Sequence, residues 1–381
     1  MSQKDNSLSL LPNGFVDVLP PQAQKEADYT RSLMDVFASF GYCRIKPPLL
    51  EFEESLLAPG PGARLASETF RLMDPVTHRM MGVRSDITPQ ISRIVSSRLM
   101  NEVRPLRLSY VNDVLRTRGS QMRTERQFTQ VGCELIGQAG CVQTDIEICM
   151  VALIGLHEVG LKDITLDLTI PCFLDGFLAD VDSDMRGSIE KMISQRDVDG
   201  VEEHSAFIAR VMRASGDADT AFAAFEKSDF DAEIRADITR LKAVSDGVRA
   251  ALDDLGIEGV SITVDLLEQD GFEYHKKLGF TLFSSNICGE IGRGGCYDVR
   301  FGQGDNGETA KGFTLYMDTI AKCDVSVVLD DKVFVTADVA WSVIRSLQKD
   351  GWVVVRESEV GHLPKGCTHK YEDGKVIEIS Q

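Results

Sequence analysis

Basic residues are in short supply in this sequence. Its 381 residues include 41 Lys and Arg against 59 Asp and Glu, so the formal net charge is −18. A surface of that sign repels phosphate backbones, which argues against general nucleic-acid binding and leaves room only for a local basic groove. The composition therefore predicts no nucleic-acid partner.

Long apolar runs and metal-binding patterns are also missing. No stretch approaches the roughly 20 apolar residues of a membrane-spanning helix, and the N-terminal MSQKDNSLSLLPNG lacks the pattern of a secretory signal. The nine cysteines form no Cys-x-x-Cys pair, and no two of the six histidines stand three to five residues apart. We therefore expect a cytoplasmic protein with reduced cysteines and with no membrane partner, metal or cofactor.

One glycine-rich segment matches the residue pattern of a dinucleotide-binding turn but not its expected surroundings. Residues 302–307 read Gly-Gln-Gly-Asp-Asn-Gly. A dinucleotide site requires a strand before this pattern and an apolar helix after it, within a βαβ unit. Neither pattern surrounds the segment, so we interpret it as a surface turn.

Two blocks of predicted strands are separated by a helical stretch. Apolar spacing over 22–40 predicts a helix, and alternation over 106–111, 126–136 and 164–169 predicts strands. Between about 175 and 255 proline is absent and Ala and charged residues dominate, which predicts a helical insertion. The irregular interleaving of strands and helices indicates an α+β fold with a mixed, mainly antiparallel sheet and helices on one side.

The composition changes again after Cys323. We expect residues 1–323 to form one domain and 324–381 a small C-terminal α/β domain, whose first strand is predicted at 325–329. Near the C-terminus, Asp373-Gly374 stands at the centre of a predicted hairpin.

The strand at 126–136 carries polar residues on one face. Gln130, Gly132 and Glu134 alternate along that face. Gly132 has no side chain, so it leaves space for a small ligand between the Gln130 amide and the Glu134 carboxylate. An ammonium group of that ligand would pair with the carboxylate. An ordinary solvated sheet face has the same pattern, so spacing alone leaves both interpretations open.

Two further groups of residues suggest ligand binding. Asp86 and Thr88 precede a predicted helix, where capping explains them equally well. Guanidinium groups in the loop after the strand at 106–111 can cradle phosphate or carboxylate, which would make Arg116 the partner of a ligand carboxylate. The same groups can instead pair with the many acidic residues. The arginines of this loop are Arg116, Arg118, Arg123 and Arg126.

Four segments in order carry a family resemblance: RSDITPQISRIV, LRTRGSQMRTERQFTQVGCELIG, GFEYH and GGCYDVRF. Over roughly residues 10–322 the chain resembles the catalytic domain of histidyl-tRNA synthetase, a class II aminoacyl-tRNA synthetase. The helix at 22–40 and the strand ending at Pro48 resemble its first class motif. The resemblance implies a class II fold, with a mixed, mainly antiparallel sheet flanked by helices.

The chain departs from the synthetase where ATP is activated. Arg118 stands where the family has a glutamate that contacts ATP, and Asp270 and Thr319 stand where it has arginines. Each lost electrostatic contact costs a transition state on the order of 3 kcal/mol. The anticodon-binding domain is missing or reduced to the short C-terminal part. The resemblance therefore implies that adenylation is lost.

The histidine-binding residues of the synthetase are largely kept. In this resemblance Asp86 replaces the glutamate that binds the ligand ammonium, and Gln130 and Glu134 match the pair that binds imidazole and amine. His275 replaces a tyrosine, and Cys296 replaces an arginine. The candidate ligand-binding residues are Asp86, Thr88, Arg116, Gln130, Glu134, Tyr274 and Tyr297.

This combination resembles the regulatory subunits of ATP phosphoribosyltransferase. That family implies a non-catalytic subunit in the first step of histidine biosynthesis, needed by a short catalytic subunit and for feedback inhibition by L-histidine. It also implies a hetero-oligomer, expected to be a hetero-octamer, and a self-dimer through the first-motif helix. The alternatives are a free-standing amino-acid-sensing paralogue and an active histidyl-tRNA synthetase.

Overall fold

The structure is a computed structural model. It describes residues 10–58, 61–119, 123–138, 140–178, 181–268, 271–272, 274–299, 307–323, 331–357 and 366–379. Asp270, the first five residues of the glycine-rich segment at 302–307 and the strand predicted at 325–329 lie outside the described residues. The chain divides into two units, Met1–Asp324 and Val325–Gln381.

The strands, in chain order, are β1 (Cys43–Arg44), β2 (Leu50–Phe52), β3 (Arg71–Met73), β4 (Met80–Val83), β5 (Leu106–Leu115), β6 (Gln127–Ile136), β7 (Ile164–Thr169), β8 (Gly216–Asp217), β9 (Val260–Val264), β10 (His275–Ser284), β11 (Gly292–Val299), β12 (Glu308–Tyr316), β13 (Lys332–Val335), β14 (Val353–Arg356), β15 (His369–Glu372) and β16 (Lys375–Glu378).

The helices are α1 (Gln22–Ser39), α2 (Glu53–Leu56), α3 (Thr88–Ser97), α4 (Val142–Glu158), α5 (Phe173–Phe177), α6 (Ser183–Ser194), α7 (Val198–His204), α8 (Ala206–Ala214), α9 (Ala218–Phe225), α10 (Ala232–Leu255), α11 (Met317–Ile320) and α12 (Trp341–Lys349). A short 3-10 turn covers Ala63–Ser67.

A nine-stranded sheet organises the first unit, in the order β1-β5-β6-β12-β11-β10-β7-β9-β8. Only the pairs β1–β5 and β7–β9 are parallel. In the run of long strands β5, β6, β12, β11 and β10, each strand is antiparallel to the next. The predicted α+β class with a mixed, mainly antiparallel sheet is confirmed.

Helices cover both faces of this sheet, whereas the sequence predicted helices on one side. On one face α1 packs on α4, and the rings of Phe37 and Phe313 meet edge to face with centroids 5.5 Å apart. On the other face Ile87, Ile91 and Val95 pack in one core. Its sheet residues include Tyr110 and Tyr297. The central strands are apolar on both faces, so burying them requires cover on both.

The helices α5 to α10 lie between Phe173 and Leu255. The same stretch also contributes the two-residue edge strand β8, which pairs with β9. The unit further contains a three-stranded sheet in the order β2-β4-β3.

The C-terminal unit has a four-stranded sheet in the order β14-β13-β15-β16. α12 buries Ile344 and Leu347 against Val333 and Val335. The hairpin predicted at Asp373-Gly374 joins β15 to β16, and both turn residues have positive φ, as a tight two-residue hairpin requires.

Candidate functional site

A cavity of about 240 Å³ lies on the face of the central sheet that α3 covers. Six of the seven predicted ligand-binding residues line it, and they come from β6, β11, the start of α3 and two loops. We call it the Glu134 cavity. The predicted residues that line it are Asp86, Thr88, Arg116, Glu134, Tyr274 and Tyr297.

Glu134 is the central acid of this cavity. Its side chain is fully buried, and it accepts hydrogen bonds from the Tyr297 hydroxyl at 2.9 Å and the Thr88 hydroxyl at 3.2 Å. Burial raises the pKa of Glu134 to about 8, and the negative charge of Asp86 adds to the rise. Within the described part of the chain no Lys or Arg forms an ion pair with it. A cationic ligand group would supply the missing charge.

Asp86 stands at the entrance to α3. Its carboxylate accepts from the backbone N–H of Thr88 at 2.8 Å, so it satisfies the first N–H of the helix while it also lines the cavity. The sequence left capping and ligand binding open for this residue, and the geometry accommodates both.

Gln130 is the predicted ligand-binding residue that does not line the cavity; its side chain bonds to Asp86 instead. Its amide nitrogen donates to Asp86 at 3.2 Å, and its amide oxygen accepts from the backbone N–H of Ile87 at 3.2 Å. Gln130 is fully buried, so both of its polar atoms must find partners within the protein. These bonds join β6 to the turn before α3.

The space beside Gly132, which the sequence allowed as a ligand floor, is filled by protein atoms. Tyr110 is paired with Gly132 across the strands, and a Cβ on Gly132 would lie 2.6 Å from its hydroxyl oxygen. That hydroxyl lies 2.7 Å from the hydroxyl of Thr314. The absent side chain instead makes room for a tyrosine ring.

A different glycine makes room for the buried acid. Gly312 pairs with Glu134 in the neighbouring strand, and a Cβ there would lie 1.8 Å from the Glu134 carboxylate. The same row of the sheet continues into Gly295 and Gly279. Because three adjacent strands place glycine here, the carboxylate lies over bare backbone.

Aromatic rings wall the cavity. Tyr274 and Tyr297 meet at 87° with centroids 5.7 Å apart, and Tyr274 stacks on His275 at 4.3 Å. Burial lowers the pKa of His275 to about 3, so its ring is neutral at physiological pH. His275 lines the cavity as well, although the sequence gave it only as a departure from a tyrosine.

The opposite end of the cavity is rich in arginine, and each arginine has an acidic partner. Arg123 donates to Asp318 at 2.9 Å, and Arg293 donates through Nε to Glu290 at 2.6 Å. Arg116 has the longest of these pairs, with its Nε 3.4 Å from Glu68. The described contacts include none from the two terminal nitrogens of Arg116, which makes it the least committed cation at this end.

Sequence reasoning missed Glu68, Glu290 and Arg293 as site residues. Glu290 and Arg293 flank the start of β11, a strand that was not predicted because its Gly-Arg-Gly-Gly start has low β propensity. The i,i+3 spacing of Glu290 and Arg293 was the available signal.

Three residues in which the chain differs from the synthetase have clear positions. Arg118 is exposed. Thr319 is buried and accepts from Arg123 at 3.4 Å. Cys296 faces away from the cavity, with its sulfur 3.5 Å from a carboxylate oxygen of Asp145.

The described residues include neither a metal-ligating cluster nor a membrane-spanning helix. No group of three or more His, Cys, Asp or Glu that could hold a metal ion occurs among them. None of their helices has the length and apolar character needed to cross a bilayer. All nine cysteines are free thiols.

Comparison with known proteins gives a consistent family. A family model described as histidyl-tRNA synthetase matches residues 14–320. The ATP phosphoribosyltransferase regulatory subunit of Rhodospirillum centenum is 39% identical over 385 residues, covering 98% of this chain and 97% of its own.

Two solved structures share the fold. One is an ATP phosphoribosyltransferase regulatory subunit/histidyl-tRNA synthetase from Bacillus halodurans, with a TM-score of 0.77, 19% identity and 96% of each chain covered. The other is a chain of the ATP phosphoribosyl transferase (HisG:HisZ) complex from Thermotoga maritima, with a TM-score of 0.59 and 16% identity. The match covers 77% of this chain and 97% of that one.

Proposed function

The chain belongs to the family of ATP phosphoribosyltransferase regulatory subunits, and from that membership we propose that it is the histidine sensor of a short catalytic subunit. It is a non-catalytic regulatory subunit of histidine biosynthesis. Free L-histidine binds in the Glu134 cavity and lowers the activity of the assembled enzyme. For this, histidine must bind the less active state of the complex more tightly.

One observation carries the ligand assignment: a fully buried carboxyl group that lacks a cationic partner in the described structure. Such a group is costly to ionise unless a cation compensates it. Histidine carries an ammonium and an imidazole N–H, and Glu134 and Asp86 supply two carboxyl groups for them. This match to two polar donors supports histidine over an apolar amino acid.

The remaining contacts follow from the two ends of the cavity. Arg116 is positioned to receive the ligand carboxylate, because its terminal nitrogens are the least committed at the basic end. Tyr274 and Tyr297 wall the ring and exclude water, which strengthens the charged contacts. The cavity is smaller than those that hold drug-sized ligands, as an amino acid requires.

The assembly we propose is a hetero-oligomer with the catalytic subunit, a hetero-octamer built on self-dimers through α1. The Thermotoga complex supports the hetero-oligomer by analogy of fold. Exposed apolar side chains before α1 support a further contact surface, since such clusters mark interfaces. They are Leu10, Leu11, Val16, Val18 and Leu19. The free thiols fit a reducing cytoplasm.

The test is reconstitution with the short catalytic subunit. The phosphoribosyltransferase rate is measured as this chain is added, first without and then with histidine. We expect the rate to rise on addition and to fall again with histidine. If the complex forms and the rate is unchanged across the titration, the chain does not regulate that enzyme.

A further inference from the structure

A second cavity, of about 500 Å³, lies in the first unit where the helical insertion meets the ends of β7 and β9. We call it the junction cavity. Its volume is typical of binding sites, and its floor is apolar, with Leu174, Leu267 and Phe272 almost fully buried. Its rim is charged, and the charged lining residues are Asp175, Arg186, Glu190, Arg196, Asp265 and Glu268.

Acids outnumber bases at this rim. Arg186 lies 2.7 Å from both Asp175 and Glu190, and so it is shared between two carboxylates. The four carboxylates and two guanidiniums among the described lining residues leave an excess charge of −2. Burial raises the pKa of the neighbouring Asp167 to about 6, and the negative charges of Asp265 and Glu268 add to the rise.

We propose that the junction cavity receives a basic segment of the phosphoribosyltransferase catalytic subunit. A Lys or Arg side chain of that segment neutralises the acidic rim, and an adjacent apolar side chain packs on the floor. This inference rests on the proposed function, which supplies the partner. A second copy of this chain is not the expected occupant, because the proposed self-dimer uses α1, and no residue of α1 lines this cavity.

The wall between the two cavities gives this docking site a regulatory consequence. Phe272 lines the junction cavity, and its ring meets the ring of His275 edge to face at 5.2 Å. The Cys172 thiol, also in the junction cavity, lies 3.5 Å from the backbone oxygen of His275. His275 also lines the Glu134 cavity. The side chains of Phe272 and His275 therefore connect a catalytic-subunit segment in the junction cavity with free histidine in the Glu134 cavity. Any coupling between them must act equally in both directions.

The experiment measures the affinity of the full chain for the catalytic subunit after the rim is neutralised. Asp175→Asn/Glu190→Gln removes the excess of two negative charges. Losing two partly exposed charge pairs weakens binding by about tenfold, and the effect shrinks at high salt. The matched control is Asp199→Asn/Glu202→Gln, which removes the two acids around Arg213 on the same insertion, outside the cavity. The control should bind like wild type.

A second variant guards against misfolding. Ser194→Trp places a large side chain into the junction cavity from the exposed end of α6 and leaves the charges unchanged. It should also weaken docking by tenfold or more, while the isolated variant keeps its circular dichroism spectrum and its histidine affinity.

The outcomes separate this inference from the proposed function. If wild type binds the catalytic subunit and both cavity variants bind equally well, the docking site lies elsewhere and only this inference fails. If the cavity variants change self-association instead, the occupant is a second copy and the inference is wrong. If wild type does not bind the catalytic subunit at all, the proposed function fails, and this inference fails with it.

Discussion

Glu134→Gln tests the Glu134 cavity most directly. The substitution keeps the size of the side chain. Its amide oxygen can accept from one of the two hydroxyls, Tyr297 or Thr88, and its amide nitrogen can donate to the oxygen of the other. It removes only the negative charge that we assign to the cationic group of histidine. A charge-assisted hydrogen bond contributes about 1.5–3 kcal/mol, so histidine should bind roughly ten- to a hundredfold more weakly.

The pH dependence sharpens this prediction. With a pKa of about 8, Glu134 is mostly protonated at pH 7, and binding a cation must release its proton. The affinity of wild type for histidine should therefore rise by about fivefold between pH 7 and pH 8, in step with the ionised fraction of Glu134. In Glu134→Gln this rise should disappear, because the amide has no proton to lose in that range.

Isothermal titration calorimetry of the isolated chain provides the assay. Runs in buffers of different ionisation enthalpy count the protons released, and Glu147→Gln serves as control because its carboxylate pairs with Arg107 outside the cavity. Native affinity in Glu134→Gln, or proton release unchanged from wild type, would refute the assignment. The histidine site would then lie on the catalytic subunit or at the interface.

The same residue sets a stability prediction with a definite sign. The pKa of Glu134 is higher in the folded state than the ordinary value of 4.5, so the folded chain holds this proton more tightly. The contribution of protonated Glu134 to the free energy of unfolding is therefore lost as the pH rises from about 4.5 towards 8. Without ligand, Glu134→Gln should unfold less readily than wild type at pH 9, by on the order of 5 kcal/mol. Denaturant titrations at pH 5 and pH 9 measure the difference, and equal stabilities of the two proteins at pH 9 would contradict it.

Three further outcomes are expected. The isolated chain should support no histidine-dependent ATP–pyrophosphate exchange above background, because Arg118 and Thr319 do not supply the charges that adenylation needs. Lys311→Met should destabilise the fold by about 1.5–3 kcal/mol in denaturant titration, since it removes one of the two cations paired with the buried Asp145 and leaves Arg240 as the other; a loss below about 1 kcal/mol would show that the pair is not needed. Gly312→Ala should abolish calorimetric histidine binding while circular dichroism still reports a folded protein, because its Cβ would lie 1.8 Å from the carboxylate of Glu134 and 2.6 Å from the backbone oxygen of Cys133; normal binding would show that both can move aside.

Alternation and motif spacing predicted much of the framework. The strand predicted at 164–169 is β7 at Ile164–Thr169, and the helix predicted over 22–40 is α1 at Gln22–Ser39. These elements could be predicted because each has one apolar face whose period matches its geometry. β11 could not be predicted, because it is rich in glycine, and its Gly295 pairs with another glycine, Gly312, in β12. Only the surrounding sheet stabilises this strand.

The sequence by itself determined which residue types the cavity contains, because strand alternation and a shared motif order place Asp86, Glu134 and Tyr297 together. Only the tertiary structure decided what each one does. Gln130 shares a strand face with Glu134, yet its amide is consumed by Asp86 and Ile87, because a fully buried polar group must bond to its nearest partners. Such partners come from segments distant in sequence, and no local pattern of residues records where the fold will bring them.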